Sequence, residues 1–464
     1  MRINRITTAQ NLPPNSARRY RHWAAALGLA GLCTAGVSAQ SFITFSLDYQ
    51  GPPIGAADSC TGVVGLTEGD ILAPFGGSPA PGLPPPCIFI SAGFGGLGLP
   101  AWVPGAHPPG LPGFIELDAL SYGRDARLVK PPSGGTIRWW FSVDEFAFGS
   151  GAPLPPNVFT EGALGNREAA ADVFNDLGLG TGPICAPGGA AMGNTDRIDG
   201  NGFFPFGGPG LGLMEPIMPF PGMPDTGANL DALSVNTPRA NPFPVYYSLD
   251  AGFFDGAEGV FNTNSAVING GFVGGDVLVT PAPGMAPMVF IPAFMLGLDL
   301  VAPNTDDLDA LVLRENGNGV YNPSIAPFDW LAGGTDMVLF SVRRGSAVIG
   351  MPDSRCGRPI EPGDILSPPP APGMPPGIWI PAEALGLATL RSGFNNSDDL
   401  DALDVTCELI GDLDDNSFVD IADVAILLAN YGCSGPLCRG DLNLDGTVDL
   451  PDLAMLLSNY GKKC

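Results

Sequence analysis

The main body of the chain repeats one pattern of apolar and polar positions four times. Each copy contains a serine that follows an aromatic residue inside a short apolar run, at Ser46, Ser142, Ser248 and Ser341. Further runs follow at 69–72, 171–174, 275–278 and 363–366, and then at 88–90, 289–293 and 378–382. Each unit passes a Leu-Gly-Leu (97–99, 211–213, 296–298, 385–387) and ends on Leu-Asp-Ala-Leu (117–120, 230–233, 308–311, 400–403). Such short runs, rich in β-branched and aromatic residues and bounded by turn residues, are typical of β-strands.

The order of these strands predicts a propeller. About four strands in a unit of roughly 90–100 residues match one blade. The first repeat begins at its serine strand and the last ends on Leu-Asp-Ala-Leu, so one unit is divided between the two ends of the body. Pairing of these two strands would close a ring and remove its free edges. We therefore expect a mainly β, four-bladed propeller, with tandem β-sandwich modules as the second interpretation and an open solenoid as the third.

A different periodicity occupies the C-terminal end. Apolar residues at 421, 424, 425, 428 and 431 recur 29 positions later, at a spacing that predicts two amphipathic helices. Before each helix, oxygen-bearing side chains stand at loop positions 1, 3, 5, 9 and 12, with a backbone carbonyl at position 7, which is the pattern that wraps Ca²⁺. The predicted ligands are Asp412, Asp414, Asn416, Phe418, Asp420 and Asp423 in the first loop, and Asp441, Asn443, Asp445, Thr447, Asp449 and Asp452 in the second.

Two loop-plus-helix units without a helix before the first loop resemble the type I dockerin module, over residues 411–461. The resemblance implies two bound Ca²⁺ ions, a pseudo-twofold helix pair in a small all-α, EF-hand-like domain, and docking to a cohesin-like or other exported protein. Dockerins are commonly attached to exported polysaccharide-degrading enzymes. Ser417 stands where a turn-permissive residue is usual, and Ile421-Ala422 and Leu450-Pro451 replace the frequent Ser/Thr recognition pair. The main body is similar to uncharacterised repeats of exported bacterial proteins, and this brings no activity with it.

The N-terminal residues read as a secretory signal. Basic residues at 18–21 precede an apolar run over 23–37, and Val37-Ser38-Ala39 offers a cleavage site. No later segment is long and apolar enough to span a membrane. We expect a signal peptide at 1–39, a four-repeat β body at 40–407, a calcium module at 408–464, and a secreted or cell-surface location.

The composition and charge of the chain limit the classes of ligand that it can bind. The chain carries 66 Gly and 50 Pro, but 45% hydrophobic residues favour a folded core over disorder. Its formal charge of −26 argues against binding to nucleic acid or anionic membranes and favours cations. Acidic groups that lead into two strands allow cation sites at a blade edge, although turn residues before a buried strand are the favoured interpretation. These groups are Asp306, Asp307, Asp309, Asp398, Asp399 and Asp401.

Eight cysteines remain after the signal, and an even number in an exported chain indicates disulfides. The pairs that we expect are Cys60–Cys87, Cys407–Cys464 and Cys433–Cys438, which leaves Cys185 and Cys356.

The sequence contains no recognisable catalytic motif. A Ser-His-Asp triad would have to use His107, which lies in a turn-like stretch, whereas a glycosidase needs only two suitably spaced carboxylates. The favoured hypothesis is an exported, non-catalytic calcium-binding protein, whose body binds or displays a ligand and whose tail attaches it. The alternative is a secreted glycoside hydrolase that degrades polysaccharide and carries the tail for assembly.

Overall fold

The computed structural model describes residues 41–97, 116–122, 139–144, 147, 149, 155–162, 168–176, 193–202, 210–214, 228–235, 243–255, 260–261, 263–324, 334–407, 411, 413, 419–434, 440–442 and 447–461. The predicted signal segment, His107 and Cys185 lie outside these residues. Within them, no helix is long and apolar enough to cross a membrane.

Short strands dominate the described part of the body. They are β1 (Ser41–Phe45), β2 (Ile71–Ala73), β3 (Cys87–Ile90), β4 (Leu117–Ser121), β5 (Trp140–Val143), β6 (Val173–Asp176), β7 (Asn194–Ile198), β8 (Ala232–Val235), β9 (Val245–Ser248), β10 (Phe254–Asp255), β11 (Val260–Phe261), β12 (Val277–Thr280), β13 (Met288–Ile291), β14 (Leu308–Arg314), β15 (Met337–Val342), β16 (Ile365–Ser367), β17 (Gly377–Ile380) and β18 (Leu403–Cys407). Among the described residues, the α-helices are α1 (Val158–Glu161), α2 (Ser265–Ile268), α3 (Ala293–Leu296), α4 (Ile421–Ala429) and α5 (Leu450–Asn459). Single 3-10 turns lie at Ala92–Gly95, Ala169–Ala171 and Ala382–Ala384.

Four antiparallel sheets of four strands form the blades of a ring. Blade I has the order β18-β1-β2-β3, blade II β4-β5-β6-β7, blade III β8-β9-β12-β13 and blade IV β14-β15-β16-β17. The Leu-Asp-Ala-Leu strands β4, β8, β14 and β18 pack against one another and form the inner ring around the axis. The predicted four-bladed propeller is confirmed, and the sheets are not tandem sandwiches. A small ribbon, β10-β11, is inserted in blade III.

Strands from opposite ends of the body close the ring, as the repeat order predicts. β1 pairs with β18 in antiparallel register from Ser41 opposite Cys407 to Phe45 opposite Leu403. Blade I therefore takes its inner strand from the C-terminal side of the body and its other three strands from the N-terminal side.

The repeated serines link each blade to the next. The hydroxyl of each serine donates to the carbonyl of the first leucine in the following Leu-Asp-Ala-Leu. The bonds are Ser46 to Leu117 (2.8 Å), Ser142 to Leu230 (2.8 Å), Ser248 to Leu308 (2.8 Å) and Ser341 to Leu400 (2.7 Å). All four serines are fully buried. Since the last bond returns to blade I, the four bonds form a closed circle.

The aromatic residue before each serine fills the core on the other side of its strand. Phe45, Phe141, Tyr247 and Phe340 are fully buried, each in the apolar cluster between its blade and the preceding one. Neighbouring residues of a strand point to opposite faces, so one side chain can face the blade behind and the next the blade ahead. Full burial of such a side chain contributes about 1.5–3 kcal/mol.

A second circle of close contacts joins the blades nearer the rim. Gly96, Gly212, Gly297 and Gly386 have positive φ and lie directly against the backbone of a loop in the next blade. A Cβ on Gly297 would stand 2.6 Å from the Met374 carbonyl oxygen, and one on Gly96 would stand 2.7 Å from the Gly193 Cα. In the first unit the glycine with this role is Gly96, which stands directly before the Leu-Gly-Leu at 97–99.

The predicted disulfide between Cys60 and Cys87 is confirmed, and it fastens a loop of blade I to the start of β3. Cys356 and Cys433 are also in disulfides, with partners whose side chains the structure does not describe. The remaining predicted pairs stay predictions.

Candidate functional site

The C-terminal module begins each helix in the same way. The Asp420 carboxylate accepts the Ala422 N–H at 2.7 Å, and the Asp420 N–H donates to Asp423 at 2.8 Å. In the second repeat the Asp449 N–H donates to Asp452, also at 2.8 Å. These capping boxes satisfy backbone donors that a helix start otherwise leaves unpaired.

The last carboxylate of each loop also reaches back to its beginning. Asp423 accepts the Leu413 N–H at 2.6 Å, and Asp452 accepts the Leu442 N–H at 2.7 Å. Both aspartates are fully buried. One carboxylate thus holds positions 2 and 9 of its loop together, which is the closed shape that a ligand loop needs around an ion.

Contacts between the two repeats occur in reciprocal pairs. The Gly432 N–H donates to the Val448 carbonyl at 2.8 Å, and the Gly461 N–H donates to the Val419 carbonyl at the same distance. Gly411 packs on Leu456 just as Gly440 packs on Leu427. Each residue and its counterpart 29 positions later exchange partners, which is the mark of a twofold relation. The shared core consists of Leu413, Val419, Leu427, Val448 and Leu456.

The described part of the module contains half of the predicted calcium ligands. The structure places Asp420 beside Asp423 in the first loop and Asp449 beside Asp452 in the second. Asp441 and Thr447 are also described, whereas Asp412, Asp414, Asn416, Phe418, Asn443 and Asp445 lie outside the described residues. A donor set made only of carboxylate, amide and carbonyl oxygens fits a hard cation such as Ca²⁺.

Both helices leave an apolar stripe in solvent. Ile421, Leu428 and Tyr431 are 68%, 52% and 49% exposed, and their counterparts Leu450, Leu457 and Tyr460 are 65%, 53% and 50% exposed. Positions separated by seven residues lie on one side of a helix, and each tyrosine stands within two residues after the end of its helix. The stripe is therefore duplicated along with the loops, and it is separate from the buried face that carries Leu427 and Leu456.

The propeller has a second polar feature, an acidic cluster around its axis. The aspartate of every Leu-Asp-Ala-Leu is at least nine-tenths buried on the inner ring: Asp118, Asp231, Asp309 and Asp401. Burial raises the pKa of each of these carboxyls well above its usual range, and neighbouring carboxylates add to the effect. A cavity of about 270 Å³ opens where the inner strands of blades I, II and IV meet, lined among others by Asp118, Asp309 and Asp401.

Two further positions of the repeat add to this acidic cluster. The residues two before each of these aspartates are Glu116, Asn229, Asp307 and Asp399, and those two after each repeated serine are Asp48, Asp144, Asp250 and Arg343. Arg343 bonds Asp250 at 2.8 Å, and Arg344 bonds Asp48 at 2.7 Å. Ten carboxylates thus share the axis with two guanidinium groups.

The acidic residues that the sequence pattern singled out are only part of this cluster. Asp307, Asp309, Asp399 and Asp401 belong to the axis rather than to a blade edge, whereas Asp306 and Asp398 bond backbone N–H groups as turn residues do. The signal that would have found the rest is the aspartate present in all four copies of Leu-Asp-Ala-Leu, read together with the closed ring.

No protein-family model matches the chain, and no curated protein matches it. Among solved structures, the chain is similar to a type II cohesin-dockerin domain from Bacteroides cellolosolvens, at 34% sequence identity and a TM-score of 0.11. That similarity covers 12% of this chain and 90% of the other.

Proposed function

We propose that this is an exported calcium-binding protein, which its C-terminal module attaches to another exported protein while the four-bladed body binds or displays a ligand. The observation that carries the proposal is the exposed apolar stripe, which is repeated on both helices at the same 29-residue offset as the calcium loops. Exposed apolar surface of this kind marks a contact with another protein.

In this proposal, bound calcium folds and positions the two helices that carry the stripe. Residues 411–464 contain nine aspartates and three basic residues, and the described residues of the module form a core of five fully or nearly buried apolar side chains. Two Ca²⁺ ions would relieve most of that repulsion and draw each loop around its ligands. The helices and their stripes are then correctly placed only when metal is bound.

The composition of the stripe indicates the partner's surface. Ile421 and Leu450 stand at its start, and Tyr431 and Tyr460 at its end. The partner is accordingly a cohesin-like or other exported domain with an apolar patch, since apolar and aromatic side chains form the centre of protein interfaces.

Calcium titration of the purified mature chain tests the metal part. We expect two Ca²⁺ per chain in the module and loss of helical circular dichroism on chelation. Replacing both Asp423 and Asp452 with Ala should abolish these effects. A helical signal that does not change with chelator contradicts calcium-coupled folding.

Binding to a panel of cohesin domains and exported host proteins tests attachment. A double variant, Leu428→Asp and Leu457→Asp, should reduce binding at least about tenfold, whereas Val301→Asp should have no effect, because Val301 is an equally exposed apolar residue of the propeller (65%). If the double variant binds as well as the native chain, or if chelator does not reduce binding, the proposed docking face is contradicted.

One observation supports the alternative function of polysaccharide hydrolysis. The axial cavity brings Glu116 and Asp118 together with other carboxylates, and burial raises the pKa of the Glu116 carboxyl well above its usual range, as a general acid requires. Its described lining contains one aromatic side chain, Tyr49. Release of reducing sugar from polysaccharides by the native chain but not by Glu116→Gln would favour this alternative.

A further inference from the structure

We propose that the axis of the propeller binds a divalent cation, Ca²⁺ or one of like hardness, through the carboxylates of Asp231, Asp250 and Asp307. This site is separate from the two loops of the C-terminal module. Asp231 precedes β8 and Asp250 follows β9 in blade III, while Asp307 precedes β14 in blade IV, so the ion would link two blades at the inner ring.

The distances between the three carboxylates suit one shared ion. A carboxylate oxygen from each residue lies within 4.8 Å of the other two. Ca²⁺ takes oxygen ligands at 2.3–2.6 Å, so two oxygens on one ion stand at most about 5 Å apart. All three residues are 1% exposed or less. The donor set is all oxygen, which selects a hard cation over zinc or copper.

An unpartnered buried oxygen independently indicates a ligand. Oδ2 of Asp231 has no N–H or hydroxyl donor among the described residues, and the same holds for Oδ2 of Asp118, Asp309 and Asp401 at the equivalent positions. A buried carboxylate oxygen without a partner is costly. Its appearance at one position in all four repeats is therefore expected where a cation completes the bonding.

The charge of the three carboxylates in their ionised form also suits a divalent cation. Arg343 bonds Asp250, but one guanidinium against three carboxylates leaves two negative charges. A divalent cation balances them, and its attraction for oxygen ligands is strong in a buried site. Asp118 and Asp309 add negative potential, since their charges act on this trio and both also line the axial cavity.

The test uses the full mature chain with Asp423→Ala and Asp452→Ala, which disables both calcium loops and leaves the trio intact. Calorimetric titration with Ca²⁺, and separately with Mg²⁺, should detect one remaining site. Saturating Ca²⁺ should raise the Tm of the propeller by about 5 °C relative to chelator. This background separates the axial site from the module, so either proposal can fail without the other.

Asp231→Asn in the same background should weaken Ca²⁺ binding at least about tenfold, because a ligand charge is lost. Without metal, this variant should have a higher Tm than its parent, because repulsion within the trio is relieved. The control is Asp276→Asn, another buried aspartate of blade III, whose carboxylate bonds the N–H groups of Val273 and Ala293. It should not change Ca²⁺ affinity.

Two outcomes would overturn the inference. The first is a loop-disabled chain that binds no Ca²⁺ or Mg²⁺, which would mean that the three carboxylates share protons instead of an ion. The second is Ca²⁺ binding that Asp231→Asn leaves unchanged. Because the first measurement needs no substitution at the axis, it decides the question even where Asp231→Asn does not fold.

Discussion

At the scale of single residues, the repeat signature is a set of contacts between blades. The aromatic residue of each aromatic-serine pair faces the preceding blade, and the serine bonds the following one. The signature therefore records how neighbouring blades join, rather than how one blade folds. This explains why the pair occurs once per unit and why its two members occur together.

Gly386 offers a direct test of the circle of close contacts near the rim. A Cβ there would collide with the Pro84 carbonyl oxygen and would also stand at a φ of 89°. We expect Gly386→Ala to lower the free energy of unfolding by about 3 kcal/mol or more, from strain and overpacking together.

Gly373→Ala is the matched control for this change. Gly373 has a φ of 81° but has open space where its Cβ would lie, so it should lose only about 1–2 kcal/mol to backbone strain. Urea unfolding of both variants measures the difference. Equal losses would mean that the blade contact contributes nothing.

The buried Asp404 predicts a dependence of stability on pH. Burial raises the pKa of its carboxyl from 3.8 to about 7, although N–H groups of Tyr122 and Val405 partly offset the effect. The folded state therefore holds this proton more tightly than the unfolded state. Stability from this group is greatest below about pH 4 and is lost as the pH rises to about 7.

Between pH 5 and pH 8, this one carboxyl should lower the free energy of unfolding by about 3 kcal/mol. The side chain in Asp404→Asn cannot ionise, so its stability should not fall with pH for this reason. The free energy of unfolding of the variant, minus that of the native chain, should therefore be larger at pH 8 than at pH 5. Thermal unfolding at the two pH values checks this. A difference between variant and native chain that does not change with pH contradicts it.

At the scale of elements, neighbouring residues of the C-terminal helices lie on different faces, one packed in the core of the module and the next exposed to solvent. Leu427 is fully buried against Gly440, whereas Leu428 is 52% exposed. Leu427→Ala should cost about 2–5 kcal/mol and unfold the module. Leu428→Ala should leave it folded.

Circular dichroism and limited proteolysis of the full chain with Ca²⁺ distinguish these two variants. Rapid cleavage between 411 and 461 is expected for Leu427→Ala alone. If both variants are cleaved alike, the assignment of the buried and exposed faces is wrong.

Strands that pack on both faces could be predicted from the sequence, and strands at the rim of a blade could not. β14 and β15 are buried almost throughout, so their apolar runs are conspicuous. β7, Asn194–Ile198, is the outer strand of blade II and includes exposed and half-buried residues, so its sequence Asn-Thr-Asp-Arg-Ile shows no apolar pattern.

The candidate sites were predictable to different degrees for a similar reason. The predicted calcium loops follow a local ligand spacing that can be read directly from the chain. The trio Asp231, Asp250 and Asp307 comes together only when blade III packs beside blade IV. Local spacing contains no information about that approach.

At the scale of the whole molecule, closure of the ring depends on β18. A chain that ends after residue 410 keeps this strand, and we expect its propeller to unfold at the same temperature as in the full chain. A chain that ends after Ala402 lacks it and exposes the edge of β1, including the buried Ile43 and Phe45. An open apolar edge promotes association between chains.

We therefore expect the chain that ends after Ala402 to aggregate, or to lose at least about 10 °C in Tm. Size-exclusion chromatography and thermal unfolding of the two truncations make the comparison. A monomeric shorter chain with an unchanged Tm would show that the ring does not need its closing strand.

The same strand determines how the protein carries tension. β18 leads directly toward the C-terminal module, and Cys407, its last residue, pairs with Ser41 at one end of the ladder. A force applied through the module at right angles to β18, within the sheet, breaks the hydrogen-bonded pairs between β1 and β18 one after another from that end. A pull along β18 instead loads all of its pairs with β1 at once. In the proposed attachment, the direction in which the partner is drawn away, and not only the strength of its binding, thus sets the force at which the ring opens.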